Sequence, residues 1–170
     1  MAVEKYIEAF LATDLPGTKV VVGDGPSREE LQKKFPKAVF VGAKFGEDLA
    51  AHFCDADVFV FPSWTDTFGL VILEAMACGT PVAAFPAPGP IDIIPGSGAG
   101  AIDDDLRVAC LEALKLDRGA VRAYAEKFSW RASAEEFVRN LQPYPEPEKT
   151  RFWRRLRRLA RLRRKPQPGM

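Results

Sequence analysis

Asp57-Val-Phe-Val-Phe61, Pro62, then Phe68 to Cys78, Gly79, and finally Pro81-Val-Ala-Ala-Phe85 form the stretch on which the fold turns. Two short, almost wholly apolar runs flank a segment of helical periodicity. A strand with one face in water alternates apolar and polar residues, so runs without that alternation are expected to be buried on both faces. Pro62 stops the first run because it has no N–H to give to a ladder. Gly79 fits the glycine that follows a helix C-terminus. Strand, helix and strand in this order read as one parallel β-α-β unit.

The same alternation extends outward. Glu4 to Thr13 reads as a helix with Ile7, Phe10 and Leu11 on one face, and Pro16-Gly17 breaks it. Thr18 to Val22 is a strand; Ser27 with Glu30 three residues on reads as a capping box opening a helix to about Lys34. Ala38 to Val41 is the next strand, and Glu47 to Ala56 the next helix. Downstream come a Pro/Gly-rich loop, a short segment from Ile91 to Ile94 and a weak strand at Gly100 to Ile102. Asp105 to Leu141 is helical, with breaks near Asp117 and Ser129. The expected fold is α/β, a Rossmann-like doubly wound parallel sheet covered on both faces. In such sheets ligands sit beyond the carboxyl ends of the strands. Those ends are Gly23 to Pro26, Gly42 to Phe45, Pro62 to Thr67 and Pro86 to Pro90.

With 170 residues, 47% apolar and 28% charged, the chain can bury one proper core. No apolar run is long enough to span a bilayer, and no leader pattern opens the sequence. The three cysteines, Cys54, Cys78 and Cys110, lack metal-ligand spacing and read as buried, reduced thiols, so a cytoplasmic location is expected. The net charge of +1 conceals two objects: residues 149–170 carry ten Lys or Arg and no acid, whereas the first 148 carry a net −9. The Pro-rich stretch Gln142 to Glu148 joins them as a linker. Three parts are therefore expected, at residues 1–141, 142–148 and 149–170.

The segment Pro62 to Pro81 holds the richest chemistry. A polar loop and Gly69 lead into a helix whose first N–H groups, with the helix dipole, attract phosphate. Asp66 precedes that helix and Glu74 lies within it. Two carboxylates so placed can straddle a bound anion and accept hydrogen bonds from sugar hydroxyls without transferring protons themselves. The plainer reading is that Asp66 caps the helix and Glu74 pairs with a base. Against it stands the setting of Glu74 among Ile72, Leu73, Ala75 and Met76, where a buried acid needs a polar partner.

Pro62-Ser63, Asp66, Phe68-Gly69 and Glu74-Ala-Met-Ala-Cys-Gly79-Thr-Pro-Val82 resemble the signature of the retaining glycosyltransferases that use nucleotide-diphosphate sugars and have two Rossmann-like domains (glycosyl transferases group 1). Gly23-Asp-Gly-Pro26, Val39-Phe-Val-Gly42 and the Ala56 to Ser63 strand fall in the same order, and the resemblance runs over about residues 3 to 141. It implies that Glu74 holds ribose hydroxyls and that Asp66, where the family usually has Glu, contacts the transferred sugar. Phe68, Gly69 and Leu70 would face the sugar and diphosphate with backbone amides. Gly23 and Gly25 would shape the turn beside the donor, and Val41, Gly42 and Ala43 the loop beside the nucleobase. Lys5 would neutralise the leaving diphosphate, where negative charge builds up. No metal and no redox cofactor is implied; the nucleotide-diphosphate sugar is the donor substrate.

Two departures follow from the same resemblance. The strand ending in Gly-Arg before Lys5 is absent, and it would lie between the strands at 19–22 and 57–61. The acceptor-binding N-terminal domain is absent as well. The chain is therefore expected to be an N-terminally truncated donor-binding half, inactive without that domain or a complementing chain. The alternative is a non-catalytic nucleotide-binding or interaction module left by truncation; a sugar-nucleotide epimerase fits the Asp66 and Glu74 pair less well. Asp24 is expected to stabilise its turn, Asp103 to Asp105 to start a helix, and His52 to be structural. Trp64 could contact ligand or pack on a neighbouring loop.

In the tail, Phe152, Trp153, Leu156, Leu159, Ala160 and Leu162 interleave with arginines at helical spacing. Such a basic amphipathic helix suits an anionic membrane surface, peripheral at the inner face, with no nucleic-acid role expected. Binding to its own acidic domain and a solvated tail remain alternatives.

Overall fold

The computed structural model describes residues 6–142 and 152–158. The chain divides into two compact units, Met1–Ala132 and Ser133–Met170. That division falls ahead of the Pro-rich stretch, of which 143–148 lies outside the described residues.

The first unit alternates helices and strands: α1 (Ile7–Ala12), β1 (Val20–Val22), α2 (Arg28–Lys34), β2 (Val39–Gly42), α3 (Gly46–Asp55), β3 (Phe59–Phe61), α4 (Leu70–Ala77), β4 (Val82–Ala84), α5 (Pro90–Ile93), β5 (Gly100–Ile102), α6 (Leu106–Ala113) and α7 (Arg118–Ala125). All strand pairs are parallel. The sheet is split, with β1–β2 in one piece and β3–β4–β5 in the other. Among the described residues no strand bridges β1 and β3.

Period-two alternation builds the layers. Phe59 and Phe61 of β3, with Val82 and Ala84 of β4, pack against Phe53 of α3, Ile72, Ala75 and Met76 of α4, and Val121 and Ala125 of α7. The intervening Val58, Val60, Ala83 and Phe85 pack against Leu106, Ala109, Cys110 and Ala113 of α6 and Phe10 of α1. β4 is buried throughout, as a central parallel strand must be. Val21 joins Leu11 and Leu31 in a separate cluster under α1 and α2.

The helix ends show which local signals work. Asp105 accepts from the Arg107 N–H, and Asp117 from the Ala120 N–H, so both are N-caps. Ser129 Oγ accepts from Ala132 N–H, at the expected break before α8 (Trp130–Asn140), all of whose residues are exposed. The capping box at Ser27 does not form. Ser27 has helical backbone angles (φ −82°, ψ −1°) in place of the extended ones of a capping residue, and its hydroxyl makes no cap. α4 starts at Leu70, two residues later than expected, because Gly69 takes a left-handed conformation (φ 77°).

The cysteines are not uniformly buried. Cys110 is buried, Cys78 half-buried and Cys54 exposed, because Cys54 lies one position past the inward Phe53 near the end of α3. Burial, and then the neighbouring Cys54, raise the Cys78 thiol. The structure places Asp24 and the 103–105 run as expected. Asp24 accepts from Gly25 N–H and pairs with Arg28 at 3.3 Å, and Asp103 accepts from Asp105 N–H.

Gly89 brings the loop after β4 onto the loop after β3. A Cβ on Gly89 would lie 2.9 Å from the Phe68 carbonyl oxygen and 3.0 Å from its carbon, and its φ is 90°. Gly89→Ala should cost about 1–3 kcal/mol in chemical denaturation. A second prediction concerns pH: burial pushes the Cys110 thiol up to about 11 from an ordinary value of 9.0. The neutral thiol is favoured in the fold, so its contribution is intact below pH 9.0 and lost as pH rises towards 11. Cys110→Ala should therefore lose less stability than the parent between those two pH values in urea melts.

Candidate functional site

The loops that follow β1, β2, β3 and β4 meet at one edge of the first unit. Gly23 N–H donates to Gly42 carbonyl at 2.8 Å, which ties the β1 and β2 ends together. Val22, Val41 and Asp66 line one cavity, so the β3 loop lies beside that pair. Phe68 meets Gly89, which adds the β4 loop.

The entry to α4 is built from Pro62 to Gly69. Ser63 is buried, and its hydroxyl donates to the Thr65 carbonyl at 3.2 Å, folding the loop on itself. Trp64 stacks on Phe85 with centroids 4.7 Å apart and planes 15° apart. Of the two readings for Trp64, packing against the neighbouring loop is the one present. Asp66 Oδ1 accepts from Gly69 N–H at 3.1 Å, so this acid does fix the turn before the helix. A Cβ on Gly69 would also lie 2.9 Å from Ile72 Cδ1. Glycine is needed there for both its angle and its space.

After that turn, Ile72 N–H finds the Gly69 carbonyl at 2.8 Å. The Leu70 and Val71 N–H groups meet no acceptor among the described residues. They form the open N-terminus of an eight-residue helix, with no acid in its first turn. Ile72, Ala75 and Met76 face inward, so Leu70 and Glu74, one turn apart, face outward. The apolar neighbours of Glu74 in sequence are therefore not its surroundings in space. Glu74 is exposed, and its carboxylate has no hydrogen bond or ion pair among the described residues. Because Asp66 lies outside α4, only about 6 Å of helix separates the Leu70 and Glu74 levels, rather than the 12 Å of an unbroken helix from Asp66.

Gly23, Gly25, Val41, Gly42, Ala43, Asp66, Phe68, Gly69, Leu70 and Glu74 thus all fall on the carboxyl-end edge or the helix that opens from it. Lys5 lies outside the described residues. His52 Nδ1 donates to the Asp48 carbonyl at 2.7 Å on the same helix, which is a structural contact. No group of three His, Cys, Asp or Glu side chains among the described residues is placed to hold a metal.

One residue of the site had no signal in isolation. Arg28 Nη2 donates to the Phe40 carbonyl at 3.4 Å, and Nη1 lies 3.4 Å from where a Cβ on Gly42 would be. The half-buried guanidinium, braced by Asp24, puts fixed positive charge beneath the Gly42 turn. Its place five residues after Gly23 was the available clue.

No described helix is long and apolar enough to cross a membrane. In the second unit, residues 152–158 are helical, with Phe152, Trp153 and Leu156 exposed among arginines; Leu159, Ala160 and Leu162 lie outside the described residues.

Comparison with known proteins bears on the same region. The sulfoquinovosyl transferase SQD2 of Arabidopsis thaliana is 38% identical over 161 residues, covering 84% of this chain and 31% of the relative. A GDP-mannose-dependent alpha-mannosyltransferase of Mycobacterium tuberculosis is 42% identical over 96 residues, covering 55% of this chain and 25% of its own length. The chain thus spans less than a third of these relatives. Among solved structures, the sucrose-phosphate synthase of Thermosynechococcus elongatus superposes with a TM-score of 0.69 at 29% identity, over 81% of this chain and 42% of that one. The Anabaena protein HepE, in complex with UDP-glucose, shares the fold with a TM-score of 0.60 at 21% identity, over 75% of this chain and 42% of its own. The family model described as glycosyl transferases group 1 matches residues 3–116. The chain belongs to the glycosyl transferases group 1 family.

Proposed function

We propose that this chain is the donor-binding half of a retaining glycosyltransferase, which takes a nucleotide-diphosphate sugar and passes the sugar to an acceptor held by a separate domain. The observation that carries the reading is the pairing of Glu74, exposed and unpartnered among the described residues, with the open N–H groups of Leu70 and Val71 one turn away. A diphosphate accepts from those N–H groups and gains from the positive end of α4. Glu74 would accept from the ribose hydroxyls. Asp66, which accepts from Gly69 N–H, would hold the turn that presents the sugar end of the donor to this loop.

The reaction needs charge stabilised on the departing diphosphate, and the helix terminus supplies fixed donors at that point. Arg28 adds positive charge on the β1–β2 side, and Lys5 would add more. The relatives named for GDP-mannose and the HepE complex with UDP-glucose support a nucleotide-sugar donor. Since the chain spans only part of its relatives, transfer itself is assigned to an assembly that includes an acceptor domain. The 152–158 helix would hold that assembly at an anionic membrane through its arginines and exposed aromatics.

Glu74→Ala should weaken nucleotide-sugar binding by about 1.5–3 kcal/mol, the worth of a hydrogen bond to a charged group. Unchanged affinity in calorimetry removes Glu74 from the site. Removing residues 149–170 should abolish sedimentation with anionic vesicles, given roughly 1 kcal/mol for each basic residue near such a surface. Equal sedimentation without them refutes the membrane assignment.

A further inference from the structure

α3 and α4 bring two cysteines together at their carboxyl ends. Cys54 is the last residue but one of α3 and is exposed; Cys78 follows α4 directly and is half-buried. The Cys78 thiol donates to the Ala50 carbonyl at 3.7 Å. Ala50 stands one turn before Cys54 on the same face of α3, and helical side chains lean back towards the amino end. The Cys54 side chain therefore tilts onto the turn that Cys78 touches. The two thiols meet there: Cys54 hydrogen-bonds to Cys78, and burial first and then this contact keep the proton on Cys78. Cys110 lies apart from them. It packs with α6 on the opposite face of β4, whereas Cys78 packs against the cluster that holds Phe53 and Met76.

Both backbones are held in place. Arg118 donates to the Cys54 carbonyl at 2.7 Å and to the Ala56 carbonyl at 2.6 Å, and the Thr80 hydroxyl donates to the Phe53 carbonyl. After Cys78, Gly79 turns the chain with φ 75°, and a Cβ there would lie 3.0 Å from the Arg118 carbonyl oxygen. Two thiols in contact on fixed backbones lose little freedom when joined, so bond formation between them outcompetes reaction with a second molecule. Arg118 and Arg122 also lie close enough to favour a thiolate at Cys78. Burial outweighs them, so the exposed Cys54 is the thiol that a reagent meets first.

We infer that Cys54 and Cys78 form a redox modification site, at which a low-molecular-weight disulfide of the glutathione class leaves an intramolecular disulfide between α3 and α4. The Cys54 thiolate attacks one sulfur of the reagent, breaks its S–S bond and expels one thiolate, which takes up the proton that Cys54 gave up. Cys78 then loses its proton, attacks the Cys54 sulfur of the mixed disulfide and expels the second thiolate, which is protonated in turn. The protein gives up two electrons and two protons, and the reagent becomes two thiols. The bridge closes the loop 54–78 and fastens the carboxyl end of α4 to that of α3. This does not depend on the donor reading, since none of its evidence comes from Glu74 or the start of α4.

The test uses the full chain, reduced and then held in glutathione buffers that run from mostly thiol to mostly disulfide. Samples are quenched with an alkylating reagent and read by intact mass and peptide mapping. The oxidised end should give a chain two hydrogens lighter, with Cys54 joined to Cys78 and Cys110 alkylated only after unfolding. Cys78→Ser should stop at the mixed disulfide on Cys54. Cys54→Ser should form no bridge and lose the Cys78 thiol at least about tenfold more slowly than the parent. Cys110→Ser should leave the bridge unchanged. The parent results stand whether or not a variant folds. The inference is overturned if the parent keeps both thiols free, or stops at the mixed disulfide, at the oxidised end. A bridge that takes in Cys110 or a second chain overturns it too, as does equally fast loss of the Cys78 thiol in Cys54→Ser.

Discussion

The pairing of β3 with β4 is the constraint on which the site depends. Phe59, Val60 and Phe61 stand opposite Val82, Ala83 and Ala84, and this register sends Pro62 and Phe85 off the same edge. The two loops then have to pass each other, and they do so where Gly89 leaves room for the Phe68 backbone. Only then can Gly69 turn the chain into α4 with its first N–H groups unspent. The helix is anchored by Ile72, Ala75 and Met76 under the sheet, so its orientation is fixed by apolar burial. Its polar consequences, an open terminus and an outward Glu74, follow from that anchoring.

Much of this was legible in the residues. β3 and β4 are short runs of uniform apolarity, which buried parallel strands require, and the helices between and after them carry a clear helical period. Asp117 and Ser129 marked real helix starts because their side chains can reach the free N–H groups. Ser27 did not, since a residue already in helical conformation presents its hydroxyl elsewhere. The start of α4 was misplaced because Phe68 continues the apolar pattern while Gly69 bends the backbone against it. Glu74 looked submerged in a one-dimensional string, yet on an eight-residue helix its neighbours turn the other way. Arg28 could not be recognised until the Gly42 turn was seen lying over it.

The gap between β1 and β3 gives the unit an unusual balance. Parallel sheets are normally closed on both faces and paired within, yet here Val20 is 44% exposed at an interior edge. The cavity beside β1 and β3 reaches Asp66 at the carboxyl ends, the same edge from which α4 starts.

The central claim is that phosphate is gripped by the start of α4. The direct measurement is an NMR titration of the isotope-labelled full chain with uridine diphosphate and then guanosine diphosphate, following the backbone amides. The account predicts saturable shifts at Gly69, Leu70 and Val71, with smaller ones at Gly42. If both nucleotides leave the Leu70 and Val71 amides unmoved, or shift only residues remote from that edge, the account is contradicted.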